Sequence, residues 1–207
     1  MYLCRHQTTN ELALIKSISG IRGTIGGSPG VNLTPMDIVR FTAAYGTWLL
    51  GASRKPKVVI GRDGRISGPM VHQLVMQTLV SLGIEVIDAG LSTTPTVELA
   101  VVWDKAQGGI IITASHNPKE WNALKLLNRE GEFIDAATGN RILQMAEAEK
   151  FHFAPVDQIG TCKAGGEYFE RHIQAVVHKL FVLWRWKLLI GRQLLESVYV
   201  KYLIQDR

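Results

Sequence analysis

The chain has few cysteines, and the two that it has lie far apart. Cys4 and Cys162 share no Cys-x-x-Cys or Cys/His spacing within the 207 residues. Zinc sites and disulfide frameworks need cysteines at short, regular intervals. The sequence therefore argues against both kinds of site, and we interpret the two side chains as incidental free thiols.

Long hydrophobic runs are also missing. No apolar window is long and charge-free enough to cross a bilayer, which takes about 20 residues. The start of the chain, Met1 to Ala13, contains Arg5 and His6 but not the apolar core that a signal peptide needs. We therefore expect a cytoplasmic protein without a membrane partner.

Most of the chain carries no excess charge. Residues 1–170 contain 16 basic and 16 acidic side chains, whereas residues 171–207 contain 7 and 2, so the net charge of +5 comes from the end of the chain. A nucleic-acid-binding domain usually spreads its basic side chains over its folded surface. This distribution argues against a nucleic-acid partner.

The composition is that of a folded protein, and the sequence pattern alternates between strand and helix. Short β-branched runs predict strands, and segments that start with Thr-Pro or Ser predict helices. The predicted strands are 14–19, 57–60, 84–88, 109–113 and 123–127, and the predicted helices are 35–51, 68–82, 95–103 and 136–150, with Thr34, Ser67 and Thr94 as N-caps. Gly20 to Gly27 is predicted to be a glycine-rich loop that carries Arg22. This alternation predicts a three-layer α/β/α fold around a mostly parallel, mixed sheet.

The most informative segment is Thr113-Ala114-Ser115-His116-Asn117-Pro118, which follows the apolar run Gly109–Ile112. Asn-Pro stops the strand, so the segment predicts a tight loop at the carboxyl edge of the sheet, where ligands of α/β folds collect. Right-handed crossovers place the loops after the first, second and fourth predicted strands at the same edge. We therefore expect Arg22, Arg62 and Ser115 to face one cleft.

Ser115 suits the role of a phosphate acceptor better than that of a hydrolase nucleophile. No Gly-x-Ser-x-Gly elbow surrounds it. The adjacent His116 is predicted to point the other way, because neighbours on an extended segment face opposite sides. A phosphoserine carries a charge of about −1.5 to −2 and is stabilised by nearby cationic groups. Arg22, His116 and Lys125 are the candidates for that role.

Four segments resemble the α-D-phosphohexomutases, the family of phosphoglucomutase, phosphomannomutase and phosphoglucosamine mutase. In the family's order they are Ser19-Gly20-Ile21-Arg22-Gly23, Gly61-Arg62-Asp63 with Arg65 and Ser67, Thr113 to Pro118, and Trp121-Asn122-Ala123-Leu124-Lys125. The third, which is similar to the family's phosphoserine loop, is the most specific. The resemblance covers residues 14–175 and implies an amino-terminal domain I there, with an extension at 1–13 and a divergent basic and apolar tail at 176–207.

The resemblance implies a phosphoryl shuttle. Ser115 would give its phosphoryl group to a hexose monophosphate, forming a bound bisphosphate whose other phosphate returns to the serine. Lys125 would act as general acid/base, while Arg22 and His116 would bind phosphate beside it. Magnesium would bind through the phosphate on Ser115, and a glucose 1,6-bisphosphate-type activator would prime the enzyme.

The sequence also departs from the family. It contains no Asp-x-Asp-x-Asp metal loop, no Gly-Glu-x-Ser-Gly-His sugar loop and no Arg-x-Ser-Gly-Thr phosphate loop. Ser115 would thus be the only magnesium ligand, and one ligand does not define a site. We expect an incomplete mutase fragment; the alternatives are a non-catalytic remnant that binds sugar phosphate or a partner protein, and a serine hydrolase. The choice of hexose and the oligomeric state stay open.

Simpler interpretations of individual residues also stay open. Arg62 and Asp63 suit a structural loop pair better than catalytic groups. Lys125 also fits an exposed strand position, and His116 also fits a local hydrogen-bonding role. The tail from Val176 carries no family signal, which points to a disrupted or truncated reading frame or to a divergent helix that packs on the domain.

Overall fold

The computed structural model describes residues 13–17 and 20–190, and the chain divides into two units after Gly166. The first unit contains a seven-stranded sheet with four α-helices. Its strands are β1 (Ile15–Ser17), β2 (Gly20–Thr24), β3 (Lys57–Arg62), β4 (Glu85–Leu91), β5 (Gly108–Ile112), β6 (Trp121–Leu127) and β7 (Cys162–Ala164). Its helices are α1 (Pro35–Ala52), α2 (Gly68–Ser81), α3 (Thr94–Trp103) and α4 (Ala136–Ala148), and a 3-10 turn covers Val156–Gln158.

The strands lie in the order β1-β2-β6-β5-β3-β4-β7. The pairs β5-β3, β3-β4 and β4-β7 are parallel, and the pairs β1-β2, β2-β6 and β6-β5 are antiparallel. The predicted α/β/α class with a mixed sheet is confirmed, although the antiparallel half is as large as the parallel half. The reason is local: the connection from β5 to β6, residues 113–120, is too short for a parallel crossover, which needs a dozen or more residues.

Helices cover both faces of the sheet. Side chains alternate between the two faces of a strand, so Ile110 and Ile112 lie in the core cluster beneath α1, α2 and α4, while Ile111 lies on the face of α3. All three are at most 1% exposed. Burial on both faces explains why β3 and β5 are continuously apolar rather than alternating. These two strands form the rigid base of the serine loop.

The predicted N-cap is confirmed for one helix and differs for two. Thr34 caps α1, accepting a hydrogen bond from a backbone N–H of the first turn. At α3 the N-cap is Thr93 and not Thr94 as predicted, because two successive threonines precede Pro95 and the proline fits either first-turn position. Ser67 stands at the N-cap position of α2, but its side chain makes no capping hydrogen bond.

The predicted glycine-rich loop from Gly20 to Gly27 is wrong over its first half, where β2 forms. Pairing with β1 on one side and β6 on the other overrides the loop-like composition. Gly20 has a φ of +126°, and a Cβ there would collide with the Leu124 carbonyl, so the close approach of β6 requires glycine. Arg22 therefore lies on a strand. Residues 18 and 19 of the predicted first strand lie outside the described residues.

The second unit contains α5 (Tyr168–Ile190). Exposed apolar side chains follow this helix: Phe169, Ile173, Val176, Val177, Leu180 and Phe181. No helix within the described ranges is long and apolar enough to cross a membrane. The predicted extension at 1–13 and the end of the predicted tail, 191–207, lie outside the described residues except for Ala13, and the predicted domain boundaries stay predictions.

Candidate active site

Ser115 lies in the loop that joins β5 to β6 at the carboxyl edge of the parallel strands. The Thr113 N–H still donates to the Ala123 carbonyl at 3.2 Å, which extends the ladder by one residue before the chain leaves the sheet. Ser115 then takes a φ of +55°, and its N–H donates to Thr113 Oγ1 at 3.0 Å. A left-handed serine costs roughly 1–2 kcal/mol, so surrounding contacts must hold it. Its side chain is exposed, as a phosphate acceptor requires.

One arginine holds this loop from beneath. Arg65, in the turn after β3, donates from Nη1 to the carbonyls of Pro118 and Trp121 at 2.8 and 2.9 Å. Its Nη2 donates to the carbonyls of Ser115 and Asn117 at 2.8 and 2.7 Å. The side chain is only 12% exposed. A single guanidinium therefore connects the start, middle and end of the serine loop.

Asp63 fixes the arginine. Its Oδ1 accepts the Arg65 backbone N–H at 3.0 Å, and its Oδ2 lies 3.3 Å from Arg65 Nε, at ion-pair distance but outside hydrogen-bond geometry. The Asp63 N–H donates to the Ile112 carbonyl at 3.1 Å, so the turn is bonded directly to the end of β5. Arg62 donates to the Asp63 carbonyl at 3.1 Å, a local contact within the same turn.

A buried asparagine makes a second connection between the same two segments. Asn122 is fully buried, and its Nδ2 donates to Ser67 Oγ at 2.9 Å. Its Oδ1 accepts the Ala123 N–H at 2.8 Å. The hydroxyl predicted to cap α2 thus binds the start of β6 instead. Buried polar groups need partners of this kind, so the pair attaches the end of the serine loop to the start of α2.

His116 lies beside Ser115, not opposite it. Ser115 Oγ is 3.5 Å from His116 Nδ1. The prediction that the two side chains point to opposite sides is wrong, because it assumed an extended backbone and Ser115 is left-handed. The separation exceeds the ordinary hydrogen-bond range, which ends at about 3.2 Å. The two side chains are therefore neighbours, and the role of His116 in binding phosphate stays a prediction.

Arg22 and Lys125 lie on one face of adjacent strands. Arg22 pairs with Ala123, and Lys125 is two residues further along β6, so the two cations are diagonal neighbours with Cα atoms about 7–8 Å apart. The Thr113 bond to Ala123 places Arg22 in the same row, two strand spacings or roughly 10 Å from Thr113. The register thus brings both cations to the strand ends from which the serine loop departs.

The lysine has an aromatic and an acidic neighbour. Lys125 Nζ lies 5.7 Å from the centre of the Phe133 ring, at cation–π distance. Burial raises the pKa of Glu98 on α3, and the positive charge of Lys125 opposes that rise. The Phe133 ring and the Glu98 carboxyl are therefore the neighbours that favour this position of the Lys125 ammonium group.

The connections after β2, β3 and β5 meet at one edge. The predicted convergence holds for the loops after the second and fourth predicted strands, but it is wrong for the loop after 14–19, because those loop residues form β2, antiparallel to β1, and the chain reaches this edge only after β2. The Ile25 N–H, just beyond β2, donates to the Glu120 carbonyl of the serine loop at 2.8 Å, and Arg65 brings in the turn after β3. In the sequence, Arg65 stands out only as part of a segment that resembles the family. The signal that could have identified it is an Asp-x-Arg turn directly after a central strand, next to the strand that carries the serine.

The described residues do not form a magnesium site by themselves. Nowhere in 13–17 or 20–190 do three His, Cys, Asp or Glu side chains gather as metal ligands. A phosphate on Ser115 would offer a single ligand, which does not hold the ion in a defined geometry.

Fold and loop together define an α/β/α domain that presents the exposed Ser115, on a loop held by the partly buried Arg65, at the carboxyl edge of its parallel strands. Residues 14–153 match the family described as "Phosphoglucomutase/phosphomannomutase, alpha/beta/alpha domain I". The chain belongs to this family, and the matched part is its domain I.

The relatives support the same assignment. The chain is 34% identical over 163 residues to a phosphoglucomutase/phosphomannomutase of Thermococcus kodakarensis, covering 77% of this chain and 36% of that protein. It is 36% identical over 162 residues to a probable phosphoglucosamine mutase of Pyrococcus abyssi, with 78% and 34% covered. A crystal structure of a putative phosphomannomutase from Thermus thermophilus superimposes with a TM-score of 0.63 at 26% identity, covering 74% of this chain and 33% of that one. The chain thus spans about a third of these relatives' length.

Proposed function

We propose that this chain carries a phosphoryl group on Ser115 Oγ and exchanges it with hexose phosphates, as the serine-bearing domain of a phosphohexomutase. The observation that carries the proposal is the exposed Ser115 hydroxyl on a loop whose backbone Arg65 holds through four hydrogen bonds. The relatives' names supply the substrate class, since each is named for a hexose or hexosamine phosphate.

The transfer step balances with groups at this edge. A hexose hydroxyl oxygen attacks the phosphorus of phosphoserine 115; the new O–P bond forms and the bond from phosphorus to Oγ breaks. Lys125, as the free amine, takes the proton of the sugar hydroxyl. Oγ leaves with the bonding electron pair and takes a proton from protonated His116, whose Nδ1 lies 3.5 Å from Oγ and approaches it in this step. Loading from a hexose bisphosphate is the reverse of these steps.

Positive charge favours phosphate at this position. A phosphoserine carries about −1.5 to −2 charges, and Arg22 lies on the strand beyond β6, roughly 10 Å from Thr113 between Cα atoms. Because Ser115 is two residues beyond Thr113, we expect the Arg22 side chain to extend toward a phosphate on Ser115. Lys125, its diagonal neighbour, becomes a second cation on the same face once it has taken the sugar proton. Charge placed in advance in this way is the usual means by which proteins stabilise phosphoryl transfer.

The chain is expected to perform the half-reaction and not the full mutase cycle. The Asp-rich, sugar-binding and phosphate-binding segments named above are absent from its sequence. Loading and discharge of Ser115 use the groups just described, whereas reorientation of a bisphosphate needs a closed cleft. A cytoplasmic location and the absence of nucleic-acid and membrane partners stay predictions from the sequence.

The test is phosphate loading of the 207-residue chain. The protein is incubated with glucose 1,6-bisphosphate, and intact mass and peptide mapping report phosphate on Ser115. Ser115→Ala is expected to abolish the modification, and Ser28→Ala, which removes another exposed serine at the same edge, is expected to retain it. Failure of the wild-type chain to gain phosphate on Ser115 would contradict the proposal, and binding without loading would favour a non-catalytic remnant.

A further inference from the structure

We infer that Arg65 is a positioning residue for phosphoryl transfer: it holds the Ser115 backbone in its left-handed conformation and thereby sets the direction of the hydroxyl. The inference rests on the proposed function. The Arg65 side chain is partly buried beneath the loop and makes its contacts to main-chain carbonyls.

The geometry makes the loop depend on one group. Nη2 binds the carbonyls of Ser115 and Asn117, and Nη1 binds those of Pro118 and Trp121, so the bonds span the loop from the serine to the first residue of β6. A planar guanidinium offers five N–H donors in a fixed fork. A lysine offers three donors on one atom and cannot reach both ends of the loop. Arg65→Lys therefore keeps the positive charge but loses the hydrogen bonds that join the two ends of the loop. We call these four bonds the Arg65 clamp.

The Arg65 clamp also sets the orientation of the peptide groups that follow Ser115 and Pro118. The carbonyls of Ser115 and Pro118 point at Arg65, and the described residues contain no cis peptide bond. In a trans peptide the N–H points opposite to the carbonyl, so the N–H groups of His116 and Lys119 point away from Arg65. Both of these residues are exposed. Backbone N–H groups on a loop surface favour anions, so the arrangement suits a phosphate on Ser115.

Asp63 holds the Arg65 side chain in the orientation that reaches the loop. The Asp63 carboxylate lies 3.3 Å from Arg65 Nε and also accepts the backbone N–H of Arg65. It therefore orients the guanidinium toward the loop. Hydrogen bonds from an ionised donor are stronger than neutral ones. Loop and turn are thereby coupled, although they are about 50 residues apart in the chain.

The experiment compares Arg65→Lys with Arg40→Lys in the 207-residue chain. Arg40 lies on α1 and makes an ion pair with Glu149 at 2.7 Å, so it controls for loss of an arginine elsewhere. The first readout is the rate of tryptic cleavage after Lys119, an exposed lysine in the loop. The second is the rate at which Ser115 gains phosphate from glucose 1,6-bisphosphate, and thermal unfolding verifies that each variant is folded.

For Arg65→Lys we expect cleavage after Lys119 to accelerate, and Ser115 loading to slow, by about tenfold or more, the effect of losing at least one charge-assisted hydrogen bond. Arg40→Lys is expected to leave both rates unchanged. Guanidinium ion added to Arg65→Ala is expected to restore part of the loading rate.

Each other outcome has one meaning. Unchanged cleavage in Arg65→Lys would show that the arginine does not hold the loop. Faster cleavage with normal loading would show that the clamp is structural and does not position Ser115. If the wild-type chain is never loaded, the proposed function fails and the positioning role fails with it, whereas normal loading of both wild type and Arg65→Lys overturns the inference alone.

Discussion

The contact between Ser67 and Asn122 gives a prediction that separates two explanations of the same serine. Ser67 stands where an N-cap would, yet its hydroxyl accepts from Asn122 Nδ2 at 2.9 Å and makes no capping bond. If it capped α2, Ser67→Ala would cost the same whether or not Asn122 is present. If it binds Asn122, the cost disappears once the asparagine is removed.

The expected sizes follow from the contacts. Ser67→Ala removes one neutral hydrogen bond and is expected to cost about 1 kcal/mol. Asn122→Ala also leaves the Ala123 N–H without its acceptor in a buried position, so about 2–3 kcal/mol is expected. The double variant should be close to Asn122→Ala alone, which gives a coupling energy of about 1 kcal/mol.

Urea unfolding of the wild type, both single variants and the double variant measures this cycle. Each kcal/mol corresponds to about 2–4 °C in Tm for a chain of this size, so thermal unfolding is an independent readout. Additive losses, with a coupling energy near zero, would refute the reasoning and return Ser67 to the role of an N-cap.

Two further predictions concern the strands around the site. Gly20→Ala should destabilise the domain by about 1–3 kcal/mol in urea unfolding, because Gly20 has a positive φ and a Cβ there would meet the Leu124 carbonyl. Gly26 also has a positive φ but has open space around it, so Gly26→Ala should cost less. Equal losses in the two variants would show that the close approach to Leu124 is not the cause. Burial raises the pKa of Glu98, so the folded state favours the neutral carboxyl and the wild type loses stability as the pH rises through that raised pKa. Glu98→Gln should therefore gain stability relative to wild type toward neutral pH in paired unfolding curves, and the opposite trend would show that attraction to Lys125 outweighs burial.

Local patterns predicted most of the element order. The Thr34-Pro35 start, the apolar runs of β3 and β5 and the Asn-Pro stop after Ser115 each act over a few residues, so they can be interpreted without knowing the fold. The same patterns placed the serine at the carboxyl edge.

Contacts between distant segments could not be predicted. Gly20 to Gly27 has the composition of a loop, and it becomes a strand over its first half only because β6 is available to pair with it. Arg65 lies about 50 residues from the loop it holds, and its role depends on β3 and β5 being neighbours. The predicted orientation of His116 is wrong for a related reason. The bond from Arg65 to the Ser115 carbonyl is one of the contacts that hold Ser115 in its left-handed conformation, and it comes from a distant segment.

The central claim is that Ser115 holds a phosphoryl group that a hexose phosphate can remove. The most direct measurement starts from the chain phosphorylated on Ser115, mixes it with glucose 1-phosphate or glucose 6-phosphate, and follows the phosphate by 31P NMR. We predict that the phosphoserine signal decays as a hexose bisphosphate appears. A phosphoserine that persists, or that yields only inorganic phosphate at the same rate without sugar, would contradict the account.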